Sequence, residues 1–398
     1  MCKWSWMFVL IAAACGDDVE PPAVDAPPPA FEEAAHGPPP LLVSLGGLVL
    51  IAPRTQPIFW TNDAEYQAKI EDFGTKLSGS EYWNVTTSEY GIGQIAALPA
   101  IVTTDPVPTS SDALTTWLAQ KLDGTHTAEG WPATVDPQTV YSVFLPEGAV
   151  IHDPDGDSCD SYGAYHDEAT GAHGESIVYA LMPRCDYGNP LIDDLTASYS
   201  HELIEAVTDP LVETDEAYGD ADPDNYVMAY TPAAETGDYC EYLDAAYIRF
   251  EGYEVQRTWS NAASLAGTDP CVPAPATPYI AAVPMFTEQA KLTDVWTGSK
   301  VTTRAVAIPV QTSKTVDVQL ISDVPTDEFT VAATDTAVFY GESPELTFAW
   351  DKTTGKNGDV LHLTITRTRA GQLPGSELFL EAKVGNSVVS QWWGYVAN

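Results

Sequence analysis

The hydrophobic pattern of this chain changes its period once, and that change limits the folds the sequence can adopt. Up to about residue 210, short apolar runs alternate with segments whose apolar residues recur at helical spacing, as in residues 64–77. After Cys271, prolines at 273, 275 and 278 mark a linker, and apolar residues then recur at every second position. We therefore predict a domain of mixed helices and strands over residues 41–275 and an all-β sandwich over residues 276–398.

Individual elements of the first domain can be located from local patterns. Four short apolar runs are predicted to be buried strands: residues 41–53, 57–60, 140–145 and 177–182. One helix is predicted between Ser111, which can cap its start, and Gly124, which follows its end. Another is predicted from near Asp193 to Pro210, because proline ends a helix.

The first 40 residues are predicted to serve export rather than folding. Lys3, an apolar run over residues 4–14 and three alanines before Cys15 indicate a signal peptide, residues 1–15, whose end resembles a bacterial lipoprotein cleavage box. The run is too short to span a bilayer. Residues 16–40, rich in Pro, Ala and acid, are predicted to be a disordered tether. We expect an exported protein lipid-anchored through Cys15 at the cell surface or outer membrane; an ordinary signal peptide and an extracellular protein are the alternative.

The charge of the chain excludes some partners and favours others. Its 57 acidic and 17 basic side chains give a net charge of −40, which argues against binding to nucleic acid and favours cationic ligands. Two acidic loops, residues 153–160 and 220–224, alternate carboxylates as calcium loops do. The first has Ala164 where an EF-hand loop carries its bidentate Glu, and for the second a solvated acidic loop is the alternative.

Four cysteines remain outside the N-terminal segment, and they are predicted to form two disulfides. Nearness in sequence suggests Cys159 with Cys185 and Cys240 with Cys271. No Cys-x-x-Cys pair exists, which makes a zinc site built on these thiolates a weaker interpretation.

The helix that ends before Pro210 carries the residues most typical of metal chemistry. His201 and Glu205 are four positions apart, so they project from one helix face and can meet one ion. The pattern His-Glu-x-x-Glu is the zincin motif His-Glu-x-x-His with its second histidine replaced. Glu202 is then the predicted base that takes a proton from water. A solvated acidic helix is the alternative.

A third ligand is expected later in the chain. Glu235 and Asp238 lie close to Cys240, and we favour Glu235 as the ligand with Asp238 orienting His201, while the reverse assignment stays open. The ion is predicted to be divalent, with zinc favoured. His166 is a further catalytic candidate, either completing the coordination or polarising a substrate oxygen; a hydrogen-bonded structural histidine is its alternative.

Several segments, in their order along the chain, resemble the EXORDIUM or phosphate-induced protein family of plants and its secreted bacterial relatives. They are residues 57–60, 80–83, 90–93, 141–148, 165–166, 179–185, 200–210, 235–240 and 255–261. The resemblance implies an α+β zincin-like domain with a metal site on the His-Glu-x-x-Glu helix, and Glu205 matches the family. It supplies no substrate, and the C-terminal strands fall outside it.

Two functions follow as hypotheses. The first is a surface-anchored metal-dependent hydrolase, a peptidase acting on peptide or protein substrates, in which Glu202 activates water. The second is a noncatalytic protein that binds a cell-surface or cell-wall polymer, with a structural ion and an adhesive or spacer β-domain. Trp392, Trp393 and Tyr395 would be its sugar-stacking residues, although such aromatics more often pack inside a sheet.

Overall fold

The computed structural model describes residues 31–37, 41–61, 63–154, 156–219, 235–293, 300–371 and 375–398. The predicted signal peptide, the lipid attachment at Cys15 and the acidic residues 220–224 lie outside these ranges. No helix in the described ranges has the length and apolar character needed to cross a membrane.

Within the described residues, the first part of the chain combines one mixed sheet with six α-helices. Its helices are α1 Ala64–Leu77, α2 Glu81–Thr87, α3 Ser111–Lys121, α4 Leu191–Thr208, α5 Asp238–Glu241 and α6 Asn261–Leu265. Its sheet strands are β1 Arg54–Trp60, β2 Ala96–Ala97, β3 Ile101–Thr103, β4 Thr139–Phe144, β5 Tyr165–Thr170 and β6 Ser176–Met182. A separate hairpin follows, formed by β7 Tyr247–Phe250 and β8 Tyr253–Gln256.

The sheet has the order β2-β1-β4-β6-β5, and β3 also pairs with β1. All its pairs are parallel except β5 with β6, so β5 is an antiparallel edge strand. Successive residues of β1 face opposite sides: Phe59 joins a core with α1 and α4, whereas Ile58 joins a core with α3. Helices on both faces explain why the central strands are continuous apolar runs.

Helix α4 lies between the sheet and the β7–β8 hairpin, and its sequence explains both its ends. It begins after Pro190, with Asp193 and Asp194 in the first turn where negative charge stabilises a helix. It ends at Thr208, two residues before Pro210. Leu203 and Ile204 are fully buried, as predicted.

The C-terminal part forms two sheets that share one apolar core, which supports the expected sandwich. The first has the order β9-β12-β16-β14 and consists of β9 Ile280–Pro284, β12 Thr312–Ser322, β14 Leu346–Trp350 and β16 Val360–Arg367. The second has the order β10-β11-β18-β17-β13-β15 and consists of β10 Glu288–Thr293, β11 Lys300–Ala307, β13 Phe329–Asp335, β15 Thr354–Gly355, β17 Ser376–Val384 and β18 Ser387–Ala397. Every pair is antiparallel except β11 with β18.

Two local predictions were wrong. Residues 41–53 form only the short strand Val43–Ser44, which pairs with Tyr218–Gly219. The cap of α3 is Ser110, whose Oγ accepts a hydrogen bond from the Ala113 N–H, and not Ser111.

Residues 32–37, part of the predicted tether, contact the C-terminal sheets. The Asn357 side chain accepts a hydrogen bond from the Ala34 N–H at 2.9 Å and donates one to the carbonyl of Glu32 at 3.0 Å. The ring of His36 meets that of Trp392 edge-on, with centroids 6.0 Å apart.

Candidate metal centre

His201 and Glu205 lie on one face of α4, and their side chains are in contact. His201 Nε2 lies 2.8 Å from Glu205 Oε2, one turn further along α4. Glu205 is 1% exposed and Glu202 is 5% exposed, so two carboxylates are held away from bulk water. Buried carboxylates require a compensating positive charge.

The tautomer of His201 is set by a residue that the sequence did not single out. Gln256, at the end of β8, donates its amide to the carbonyl of Gly237 at 2.8 Å, so its Oε1 faces His201 Nδ1 at 2.9 Å. An amide oxygen only accepts, so Nδ1 carries the proton and Nε2 turns its lone pair toward Glu205. Two acceptors 2.8 Å apart need a proton or a metal ion between them. This is the arrangement of a histidine ligand with its supporting partner.

Glu205 is fixed by the loop that carries the other predicted ligands. Its Oε1 accepts hydrogen bonds from the N–H of Gly237 at 2.8 Å and of Asp238 at 3.3 Å. A Cβ on Gly237 would lie 2.7 Å from both Glu205 Oε1 and His201 Nδ1, so this approach requires glycine. Oε2 is thereby left for a ligand.

The two candidate third ligands, Asp238 and Glu235, lie beside different histidines. Asp238 Oδ1 lies 3.6 Å from His201 Nε2, and His201, Glu205 and Asp238 offer ligand atoms within 4.8 Å of one another. Glu235 Oε1 lies instead 3.0 Å from His166 Nε2. Of the two carboxylates, Asp238 lies beside His201 and Glu205, while Gln256 is the hydrogen-bond partner of His201 Nδ1.

His166 enters the centre from the edge strand β5. Its side chain is 1% exposed, and its Nδ1 lies 3.6 Å from Glu202 Oε2 and 3.9 Å from Glu205 Oε2. Its Nε2 lies 3.0 Å from the backbone carbonyl of Asp209. His166, Glu205 and Glu235 form a second group with ligand atoms within 4.8 Å. The sequence predicted this residue but not that it shares Glu205 with His201.

Burial and mutual repulsion perturb the acidic groups of the centre. Burial raises the pKa of Glu235 to about 8, with His166 opposing and Glu205 adding to the shift. Burial, then Glu205, raises the pKa of Asp238 well above its usual range. Burial acts to lower the pKa of His201, but Glu205 and Glu202 outweigh it and raise that pKa well above its ordinary value. These groups hold protons that a divalent cation would displace.

A cavity of about 770 Å³ opens onto one side of this centre. Its lining includes His201, Glu202, Asp238 and Gln256, so the predicted base and one metal group face a space large enough for a substrate. Six acidic side chains line it, and no Lys or Arg of the described ranges does: Asp160, Asp194, Glu202, Asp238, Glu241 and Glu254.

The other predicted sites find less support. Both oxygens of Asp153, in the first predicted calcium loop, accept hydrogen bonds, from the N–H and Oγ of Ser111 and from the Tyr162 hydroxyl, so this carboxylate anchors α3. Trp392 and Tyr395 are buried, and the ring of Trp393 packs on Phe379 at 4.1 Å. Trp392 and Tyr395 therefore pack in the interior, whereas Trp393 is half-buried. Both disulfides have the expected pairing, Cys159–Cys185 and Cys240–Cys271, consistent with an extracellular or surface location.

No protein-family model and no curated protein matches this chain. Among solved structures it is similar to surface layer protein SbsC, domains 1–6, with 12% identity and a TM-score of 0.18, over 29% of this chain and 13% of that one. It is also similar to a protein of unknown function from Porphyromonas gingivalis W83, with 13% identity and a TM-score of 0.16, over 32% of this chain and 68% of that one. Similarity at these scores carries no argument about function.

Proposed function

We propose that this protein is an exported metal-dependent hydrolase that cleaves peptide bonds. In this proposal His201, Glu205 and Asp238 hold a divalent cation, and Glu202 is the general base. The observation that carries it is the 2.8 Å approach of His201 Nε2 to Glu205 Oε2 beside a cavity that Glu202 also lines. The resemblance of the His-Glu-x-x-Glu helix to zincins supports the same reaction class.

The residues present fit a divalent ion. One imidazole nitrogen and two carboxylates form a mixed donor set of the kind that binds zinc and other first-row metals. When bound, such an ion polarises a carbonyl and lowers the pKa of water. Two carboxylates neutralise the ion's charge, so we expect slower hydrolysis than at a site of neutral histidines.

Side chains of this protein carry out the proton transfers and stabilise the charges. Glu202 accepts a proton from the attacking water and returns it to the leaving amine, because its carboxylate borders the cavity and lies next to His201 in α4. His166, 3.6 Å from Glu202 Oε2, stabilises the negative charge of that carboxylate from the buried side.

A polypeptide substrate is supported by the cavity wall. Gly163 and Ala164 line the cavity immediately before β5, and in the described part of the chain β5 pairs on one side only, with β6. An extended peptide can add main-chain hydrogen bonds to such an edge.

The test compares purified wild type with Glu202→Gln on a mixed protein substrate. We expect chelator-sensitive cleavage in the wild type and a loss of at least about 100-fold in the variant, with unchanged metal content. Glu213→Gln, at an exposed position, is the matched control and should cleave normally. Full activity in Glu202→Gln would refute the mechanism. A bound ion with no cleavage in any form, and lower thermal stability after chelation, would instead indicate a structural ion in a binding protein.

A further inference from the structure

The cavity beside the metal centre has aromatic walls that the proposed hydrolysis does not use. Tyr187, Tyr242 and Tyr247 line it together with the acidic side chains, and these residues are 57%, 48% and 42% exposed. Large apolar side chains that gather at a cleft mark a binding surface, whereas scattered exposed ones do not. The cavity therefore offers apolar contact area as well as negative charge to a molecule that enters it.

Tyr242 connects this cavity to the C-terminal β-domain. It directly follows α5, the helix that contains the proposed ligand Asp238. The centroid of its ring lies 6.3 Å from that of Phe339 and 6.0 Å from that of Phe379, and the rings of Phe339 and Phe379 are 5.7 Å apart. A row of aromatic rings thus leads from the cavity onto the second sheet of the sandwich, where Phe379 lies in β17.

Phe339 is the exposed end of this row. It is 53% exposed, and Val338 before it is 41% exposed. Both belong to the 3₁₀ helix Thr336–Tyr340, whose start is capped by Asp335: its Oδ1 accepts a hydrogen bond from the Ala337 N–H at 3.0 Å. The ring is therefore held in place before anything binds, which lowers the entropy lost on binding.

A polar contact next to Tyr242 fixes the two domains at this point. Asp244 Oδ2 accepts a hydrogen bond from the Val388 N–H at 2.7 Å. Val388 lies in β18, which pairs with the strand β17 that contains Phe379. The surface formed by Tyr242 and Phe339 is thus continuous with the cavity across the boundary between the domains.

We propose that Tyr242 and Phe339 form a subsite for an apolar side chain of a polypeptide whose basic segment occupies the acidic cavity. The proposal rests on the proposed function and adds the C-terminal β-domain to substrate recognition. The negative charge of the cavity and its continuity with the apolar surface define this occupant. A polysaccharide fits less well, because Phe339 and Val338 offer no side-chain hydrogen bond to the sugar hydroxyls that they would bury.

The test measures peptide binding to the full chain. The Glu202→Gln protein with Zn²⁺ present, chosen so that the probe is not cleaved, is titrated with fluorescent Ser/Gly peptides of equal length. Each peptide carries a central Lys cluster, and one Phe is moved through the flanking positions on either side. We expect Phe to tighten binding about tenfold over Ser at positions on one side of the cluster.

Variants made in the same protein locate the effect. Phe339→Ser should lose this gain and keep the affinity for the peptide without Phe, whereas Phe339→Leu, which stays apolar, should retain most of the gain. Leu265→Ser, at a position 67% exposed and outside the cavity lining, is the matched control and should bind as its parent does.

A crosslinking measurement needs no variant at Phe339. A peptide with benzoylphenylalanine at the preferred position should, on illumination, attach to Tyr242 or to residues 336–340. Mass spectrometry of the digested protein locates the attachment. Attachment only to other segments would overturn the subsite.

The remaining outcomes separate this subsite from the hydrolase. Equal affinity for Phe at every position, or a gain that folded Phe339→Ser retains, would overturn the subsite while leaving a wild-type protein that cleaves Lys peptides as a hydrolase. A gain that depends on Phe339, in a protein whose wild type cleaves no peptide, would support the surface and overturn the hydrolase. Binding of cell-wall oligosaccharides that requires Phe339, without any gain from Phe in the peptides, would overturn the polypeptide assignment.

Discussion

Gln256 holds His201 through a 2.9 Å hydrogen bond between Oε1 and Nδ1, and this single contact decides which ring nitrogen faces Glu205. The same amide donates to Gly237, so Gln256 also ties the ligand loop to the hairpin. Removal of a ligand's supporting partner costs about 10–100-fold in metal affinity. We expect that loss in Gln256→Ala, measured by competition with a chromogenic chelator. Gln120→Ala, exposed on α3, should bind metal as the wild type does.

Gly237→Ala should weaken metal binding and lower stability through steric overlap alone. The backbone at Gly237 has φ −79° and ψ −41°, which alanine adopts freely, but its Cβ would lie 2.7 Å from Glu205 Oε1 and from His201 Nδ1. Either the loop moves away or both ligands shift. We expect a loss of metal affinity of tenfold or more and destabilisation of about 1–3 kcal/mol, measured by calorimetry and denaturant unfolding.

The control for that variant is a glycine far from the centre. Gly148→Ala introduces strain at φ +76° in open space, so it should lose stability without losing metal affinity. Equal loss of affinity in both variants would show that general destabilisation, and not the contact with Glu205, is responsible.

The helix face was predictable from sequence, whereas the division of the ligands was not. Positions 201 and 205 share a face in any α-helix, so their proximity follows from spacing alone. The choice between Glu235 and Asp238 depends on how their loop packs on α4, through the contacts of Gly237 and Asp238 with Glu205. Sequence spacing contains no information about that packing.

Gln256 and His166 illustrate the same limit in different ways. Gln256 is 55 residues from its partner His201, and only the hairpin's position beside α4 brings them together. His166 was singled out as a residue, but its sharing of Glu205 depends on the edge strand lying next to the helix. Contacts between distant elements of this kind have no local signal in the sequence.

The two disulfides should differ in their effect on the centre. Cys240 lies in α5 together with Asp238, whereas Cys159 lines the cavity and its disulfide contains no residue of either metal group. Loop entropy assigns each bond about 3.5 kcal/mol of stability. We expect Cys240→Ala/Cys271→Ala to lose stability and metal affinity, and Cys159→Ala/Cys185→Ala to lose stability alone. Thermal unfolding and metal titration of both double variants provide the check, and equal affinity in the two would contradict the anchoring role.

Metal binding should release protons near neutral pH. Among the proposed ligands, Glu205 and Glu202 raise the pKa of His201 well above its ordinary value and burial raises that of Asp238, so both groups favour their protonated forms in the metal-free protein. An ion must displace these protons, so affinity falls as pH decreases, and proton release declines toward zero as pH rises above these pKa values. Titration calorimetry at pH 7 in two buffers of different ionisation enthalpy measures the number released. Binding without proton release at that pH would show that the ligands are already ionised.

The acidity of the cavity should select for basic substrates. Its lining has six acidic side chains and no Lys or Arg from the described ranges, and Asp160 and Glu254 lie in it outside both metal groups. Such a cleft attracts cations. This electrostatic attraction weakens as salt is added, because the Debye length falls from about 10 Å at 0.1 M to about 3 Å at 1 M. We expect peptides containing Lys or Arg to be cleaved faster than acidic peptides of equal length, with a preference that shrinks at high salt. Asp160→Asn/Glu254→Gln should reduce the preference while leaving metal content unchanged. A preference that persists unaltered at 1 M salt would point to shape rather than charge as the basis of selection.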